Sequence, residues 1–207
     1  MFIAHIREVD GKEQTILEHL TGTEELCRKF AGAFHNGNFA AYCGRLHDIG
    51  KYSEEFQKRI RGDGKRCDHS TAGAKIAYNI QLFGKLAAYC IAGHHGGLPN
   101  AGTKTDYGAD GTLFGRMSKG YEIPNYQRYE NEIDISDIIF RPSLKISPNE
   151  NAGFSFALFV RMIYSCLTDA DYTNTARFMN PHSASLRVSV DFNMLLEKLN
   201  KKLSEFQ

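Results

Sequence analysis

Gly44-Arg45-Leu46-His47-Asp48-Ile49-Gly50-Lys51 is the stretch on which the fold turns. An imidazole and a carboxylate stand side by side between two apolar residues. On a helix, neighbouring side chains point about 100° apart, so His47 and Asp48 can lean into one cavity from the end of a turn. Nitrogen and oxygen donors together suit a borderline divalent ion. Gly50 is placed to end the helix, because glycine takes the left-handed cap at no steric cost. Lys51 then brings a cation beside the pair, where a phosphate could meet it.

The dipeptide alone carries little, since chance yields roughly 0.4 such pairs in a chain of this composition. Its company carries more. His19 lies upstream in Leu17-Glu18-His19-Leu20. His69 follows in Asp68-His69-Ser70, and His94 and His95 in Gly93-His94-His95-Gly96-Gly97. Asp169 and Asp171 close the set in Leu167-Thr168-Asp169-Ala170-Asp171-Tyr172. The order is His, His-Asp, His, His-His, Asp.

That order resembles the HD phosphohydrolase superfamily. The longer forms, Leu46-His47-Asp48-Ile49-Gly50-Lys51, Asp68-His69-Ser70-Thr71-Ala72-Gly73-Ala74 and His94-His95-Gly96-Gly97-Leu98-Pro99, resemble one branch of it. This branch is the HD nuclease of type I CRISPR interference, the nuclease part of the helicase-nuclease recruited by Cascade. The resemblance runs from about His19 to Thr175. It implies an all-α helical bundle and hydrolysis of single-stranded DNA in antiviral defence. It also implies a helicase domain or subunit and the Cascade effector complex as partners.

The resemblance further implies two metal ions. One would be held by His19, His47, Asp48 and an aspartate of the Asp169/Asp171 pair, the other by His69, His94 and His95, with Asp48 bridging. Such ligands leave room for water and a substrate oxygen, as hydrolysis requires. Imidazole favours Mn²⁺, Fe²⁺, Co²⁺ or Ni²⁺ over Mg²⁺. Two positions apart on a helix, Asp169 and Asp171 point about 200° from each other, so they do not easily serve together. The family's aspartate stands before a bulky residue, which favours Asp171, with Asp169 as the alternative. Asp48 and Lys51 are the candidate catalytic residues. His5, His35 and His182 carry no expected function.

Composition sets the frame. A chain of 207 residues with 42% hydrophobic and 24% charged residues fits one domain with a sizeable core, here 1–207. A net charge of +1 leaves any DNA contact to a local patch. Five cysteines without a Cys-x-x-Cys pattern fit free thiols in a reducing cytoplasm. The apolar stretch Phe154 to Leu167 is interrupted by Arg161 and too short to span a bilayer, so no membrane role is expected.

Along the chain, residues 1–12 read as extended, ending at the turn pair Asp10-Gly11. Helices are expected over Glu13–His35, Phe39–Ile49, Ser53–Ile60, from Ser70 or Thr71 to about Phe83, over Leu86–Ala92, Ala152–Asp171 and Phe192–Phe206. Leu186–Val190 alternates like a short strand. Residues 97–150 lack a sustained period apart from Thr112–Lys119 and read as a long irregular loop. Lys58, Arg59, Arg61, Lys65, Arg66, Lys104, Arg116 and Lys119 could track phosphates. Tyr107, Phe114, Tyr121, Tyr126 and Tyr129 could stack bases. Two other functions compete with the nuclease: a phosphohydrolase acting on nucleotides or cyclic dinucleotides, and a degenerate HD domain serving for docking. The chain carries no Walker A motif, so it holds no helicase motor.

Overall fold

A computed structural model describes residues 1–80, 83–108, 111–120, 123–144, 152–181 and 191–206. The chain opens with an antiparallel hairpin, β1 (Ile3–Arg7) and β2 (Lys12–Thr15), in which Arg7 faces Lys12 and Ile3 faces Thr15. Gly11 turns it with a positive φ of 69°. The expected helix from Glu13 starts three residues later, because β1 claims residues 12–15 for pairing. Thr15 then caps α1 (Ile16–Gly32): its Oγ1 accepts from the Glu18 amide, and the Glu18 carboxylate accepts from the Thr15 amide. The buried stripe Ile16, His19, Leu20, Thr23, Leu26, Cys27 and Ala31 follows the helical period and carries His19 inward.

Helix α2 (Gly37–Leu46) packs along α1. It ends at Leu46 rather than Ile49, and a tight 3-10 turn follows at Ile49–Tyr52. Ser53 Oγ accepts from the Phe56 amide and opens α3 (Glu54–Ile60), as its spacing predicts. For α4 (Ser70–Asn79) the capping side chain is Asp68 rather than Ser70 or Thr71. It accepts from the Thr71 amide at 3.1 Å and the Thr71 hydroxyl at 2.6 Å. Helix α5 (Gly84–Gly93) packs on α4, and α6 (Leu113–Ser118), capped by Thr112, lies against both.

The core lies between α1, α2, α4, α5 and one stripe of α7 (Ala152–Met179). The sequence predicts a strongly buried α7. In the structure it buries Phe159, Val160, Ile163, Leu167, Ala170 and Asp171, while Phe154 and Leu158 are exposed. Among the described residues, the buried stripe is the one turned toward α1, α2 and α5. Helix α8 (Phe192–Ser204) lines Leu195, Leu196, Leu199 and Leu203 along one stripe, as the sequence spacing predicts, and all four are exposed. The Leu186–Val190 strand expectation lies outside the described residues.

The irregular stretch after Gly97 is anchored despite its lack of period. Phe140 is fully buried with its ring 5.0 Å from Phe39, and Tyr129, Ile133 and Ile138 are buried too. Tyr52 donates to Glu132 at 2.8 Å. The architecture is mostly helical, with eight α-helices and two short strands among the described residues. No cysteine is paired, and no helix among those residues is long and apolar enough to cross a membrane.

Candidate metal centre

Three helix ends and two helix faces converge on one buried polar pocket. His47 and Asp48 follow the last turn of α2, His69 precedes α4, and His94 and His95 follow α5. His19 comes from the inner face of α1 and Asp171 from that of α7. Two glycines permit the convergence. An added Cβ at Gly73 would strike the Leu46 carbonyl, and one at Gly50 would strike the His69 backbone. Gly50 is therefore needed for close approach. It does not adopt the left-handed cap that its position in the sequence predicts.

The donors form two groups that share Asp48. In the first, His19 Nε2 lies 3.3 Å from Asp48 Oδ2 and 3.2 Å from Asp171 Oδ1. His47 Nε2 lies 3.3 Å and 3.6 Å from the same two oxygens. In the second, the other Asp48 oxygen, Oδ1, lies 3.3 Å from His94 Nε2 and 3.5 Å from His69 Nε2. His69 and His95 meet at 2.8 Å through their Nε2 atoms. All four residues of the first group are buried, whereas His95 in the second is exposed.

Each group could hold a metal ion. Three imidazoles are turned the right way. His47 Nδ1–H donates to the Gly44 carbonyl at 2.8 Å, His94 Nδ1–H to the Ile91 carbonyl at 2.7 Å, and His19 Nδ1–H to Asn174 Oδ1 at 2.9 Å. Each therefore turns its Nε2 toward the centre, where the neutral ring would offer a lone pair to an ion. Both Asp48 oxygens and His94 Nε2 are buried without a hydrogen-bond partner. Such atoms are rare in proteins unless another species satisfies them. An ion with ligand bonds of about 2.1 Å needs neighbouring ligand atoms roughly 3.0–3.4 Å apart. Three of the first group's four nitrogen–oxygen spacings fall in that range, and the fourth, His47 Nε2 to Asp171 Oδ1 at 3.6 Å, lies just beyond it.

The electrostatics favour a cation. Burial would raise Asp48, but Lys51 and His47 outweigh it and hold the carboxyl well below its usual range. Burial likewise opposes the ionised form of Asp171, and hydrogen bonds from His19 and His47 overcome it. Burial would lower His47, but Asp48 and Asp171 push it up to about 10. Burial, then His94, lowers His95 to about 4. The pocket thus keeps two ionised carboxylates facing a ring of histidines, and the His47 proton would have to leave for an ion to bind there.

The structure also places the remaining candidates. Asp169 is exposed on the face of α7 away from the pocket. Lys51 is 5% exposed, and its ammonium meets Asp48 Oδ2 at 2.7 Å, outside hydrogen-bonding angles. A cleft of about 770 Å³ opens beside the second group, lined by His69, His95, Arg59, Arg66, Arg116 and Lys119. Lys58, Arg61, Lys65 and Lys104 do not line it. Arg116 donates to the Ala92 carbonyl and Ser70 Oγ, and Lys119 pairs with Asp68. Tyr129 is buried and stacks on Tyr126, so that pair is occupied by the loop itself. Tyr121 and His182 lie outside the described residues.

Chain comparison agrees with this arrangement. The HD domain profile matches residues 16–141, and the match covers all five histidines of the two groups together with Asp48. The chain belongs to the HD domain family. HD domains are typically metal-dependent hydrolases of phosphate esters, and the paired donor groups have the ligand chemistry for it. No curated protein matches the chain. Asp171 lies beyond the matched segment and is brought to this HD site by α7.

Three residues of the HD site escape a reading of sequence alone. His5, expected to have no function, packs edge-on against His19 with ring centroids 4.6 Å apart. Its Nε2 lies 3.2 Å from Lys51 Nζ, and burial followed by Lys51 lowers it to about 4. Gln14 and Asn174 connect His5 to His19 by hydrogen bonds. Asn174 had a signal, since it stands three residues after Asp171 and so shares its helix face. His5 and Gln14 had none, because strand pairing decides what they meet.

Proposed function

We propose that this chain is a metal-dependent nuclease that hydrolyses phosphodiester bonds of single-stranded DNA in type I CRISPR interference. The observation that carries the reading is the open basic cleft running up to His69 and His95. A mononucleotide hydrolase is served by a closed pocket. A polyanion needs an open channel with cations along it, and Arg59, Arg66, Arg116 and Lys119 supply them.

In this reading His19, His47, Asp48 and Asp171 hold one ion, and His69, His94, His95 and Asp48 hold the other. Bound there, a metal pair supplies Lewis acidity for the transferring phosphoryl group and an activated water. The ions are of the Mn²⁺, Fe²⁺, Co²⁺ or Ni²⁺ kind rather than Mg²⁺. Arg66 and Arg116 hold strand phosphates and set which bond lies over the pocket. Asp48 keeps both oxygens turned to the centre, one toward each group. Lys51 adds positive charge behind Asp48; reaching a phosphate would require its ammonium to leave that carboxylate. Residues 1–207 act as one domain, since α7 completes the first group. A helicase on another chain or segment, recruited with Cascade, would deliver the single strand.

The test is cleavage of circular single-stranded DNA with Mn²⁺, beside matched duplex and a panel of nucleotides and cyclic dinucleotides. The expected result is cutting of the single-stranded circle, poor cutting of duplex, and a several-fold loss for Arg66→Ala on DNA with metal content unchanged. Brisk turnover of nucleotides with both DNA forms intact would replace this reading with the phosphohydrolase one.

A further inference from the structure

A lysine ammonium beside a carboxylate meant for a metal is a competitor for it. Lys51 Nζ sits 2.7 Å from Asp48 Oδ2, the same oxygen that His19 and His47 face at 3.3 Å. Lys51 is buried, so water does not dilute that competition. Its second neighbour is His5 Nε2 at 3.2 Å.

The hydrogen-bond roles around His5 follow from the donors. An ammonium only donates, so His5 Nε2 accepts and the ring proton sits on Nδ1. That proton goes to Gln14 Oε1 at 2.9 Å. The Gln14 amide donates to Asn174 Oδ1 at 3.0 Å, which also accepts from His19 Nδ1–H at 2.9 Å. One run of bonds, from Lys51 through His5, Gln14 and Asn174 to His19, therefore does two things. Asn174 at one end occupies His19 Nδ1 and so turns Nε2 to the pocket, and His5 at the other end offers the Lys51 ammonium an acceptor other than Asp48.

We propose that His5 is a positioning residue that draws the Lys51 ammonium away from Asp48 Oδ2, leaving that oxygen to a metal ion in the group formed with His19, His47 and Asp171. The inference rests on the metal-dependent reading above. The HD match begins at residue 16, so the hairpin that carries His5 lies outside it.

The test is calorimetric titration of the full, chelator-stripped chain with Mn²⁺. His5→Ala should weaken Mn²⁺ binding about tenfold, the lower end of what outer-shell partners contribute. In a Lys51→Met background the same change should have no effect, because no ammonium is left to compete. His5→Gln keeps an acceptor toward Lys51 and should restore binding. His5→Asn keeps only the donor toward Gln14 and should behave like His5→Ala. If His5→Ala fails to fold, the Gln and Asn variants carry the test by themselves. Equal losses with and without Lys51, or rescue by Asn and not by Gln, would overturn the inference while leaving the metal site standing. A wild-type chain that takes up no Mn²⁺ would overturn the metal reading, and this inference with it.

Discussion

The two donor groups share one aspartate and differ in almost everything else. The His19, His47, Asp48 and Asp171 group is closed, walled by α1, α2 and α7 and backed by Asn174, Gln14 and His5. The His69, His94, Asp48 and His95 group opens on the basic cleft, with His95 exposed. A closed site excludes water, strengthens its electrostatics and holds its ligands in fixed rotamers. An open site can meet a polymer. On the proposed function, the contrast would separate holding an ion from meeting a substrate, with Asp48 coupling the two.

The largest break in that contrast comes at the shared residue. Asp48→Ala should abolish cleavage and weaken Mn²⁺ uptake by both groups, seen as a fall in bound metal by elemental analysis. Its metal-free fold should persist, since Asp48 contributes charge rather than apolar contact. Chelation of wild type should lower stability by about 2.7 kcal/mol if the ion was present at a hundred times its dissociation constant. The variant should show little of that drop in a thermal melt.

A more selective change targets the closed group. Asp171→Ala should weaken one class of Mn²⁺ site by roughly 10–100-fold and leave the other. Asp169→Ala, on the outer face of the same helix, should stay within about twofold of wild type by calorimetry. A reversed result would mean that α7 presents its other face.

The open group is tested by His95→Ala. Mn²⁺ stoichiometry should fall from two toward one, and kcat should fall with it while the closed group keeps its affinity. Loss of both ions would show that the two groups are not separable.

The smallest effect concerns the hairpin that backs the closed group. Arg7 bonds both Asp10 oxygens and the Phe178 carbonyl, tying β1 to the end of α7. The Arg7 hydrogen bond, then the Lys12 amide, lowers Asp10 from 3.8 to about 2. A carboxyl lowered on folding stabilises the protein above its unfolded pKa, and that contribution is lost as pH falls through the folded value. Between pH 4 and pH 2, wild type should therefore lose slightly more melting temperature than Asp10→Asn. The pair is exposed, so the difference should be small and should shrink further in high salt.

Much of this was legible in residue order. His47-Asp48, His69, His94-His95 and the later aspartates lie at helix ends and faces that periodicity and capping residues locate. The helix angle between Asp169 and Asp171 already separates them. Other features were not legible, for identifiable physical reasons. Gly50 resembles a helix cap in sequence, but its role is steric and depends on a backbone nineteen residues away. Phe140 and Ile133 carry no period, because they are buried by packing and not by a regular element. Both α7 and α8 carry apolar residues at helical spacing, yet among the described residues α7 packs on the core and the α8 leucines stay exposed.

The sequence by itself determined the helical class and named the candidate donors, because these depend on side-chain chemistry and on spacing within single helices. Tertiary structure alone decided which donors lie together, which group is closed, and that Lys51 turns to Asp48 and His5. Those outcomes depend on distances between elements far apart in the chain. A shift of one ångström there, invisible in residue order, separates an ion pair from an open ligand.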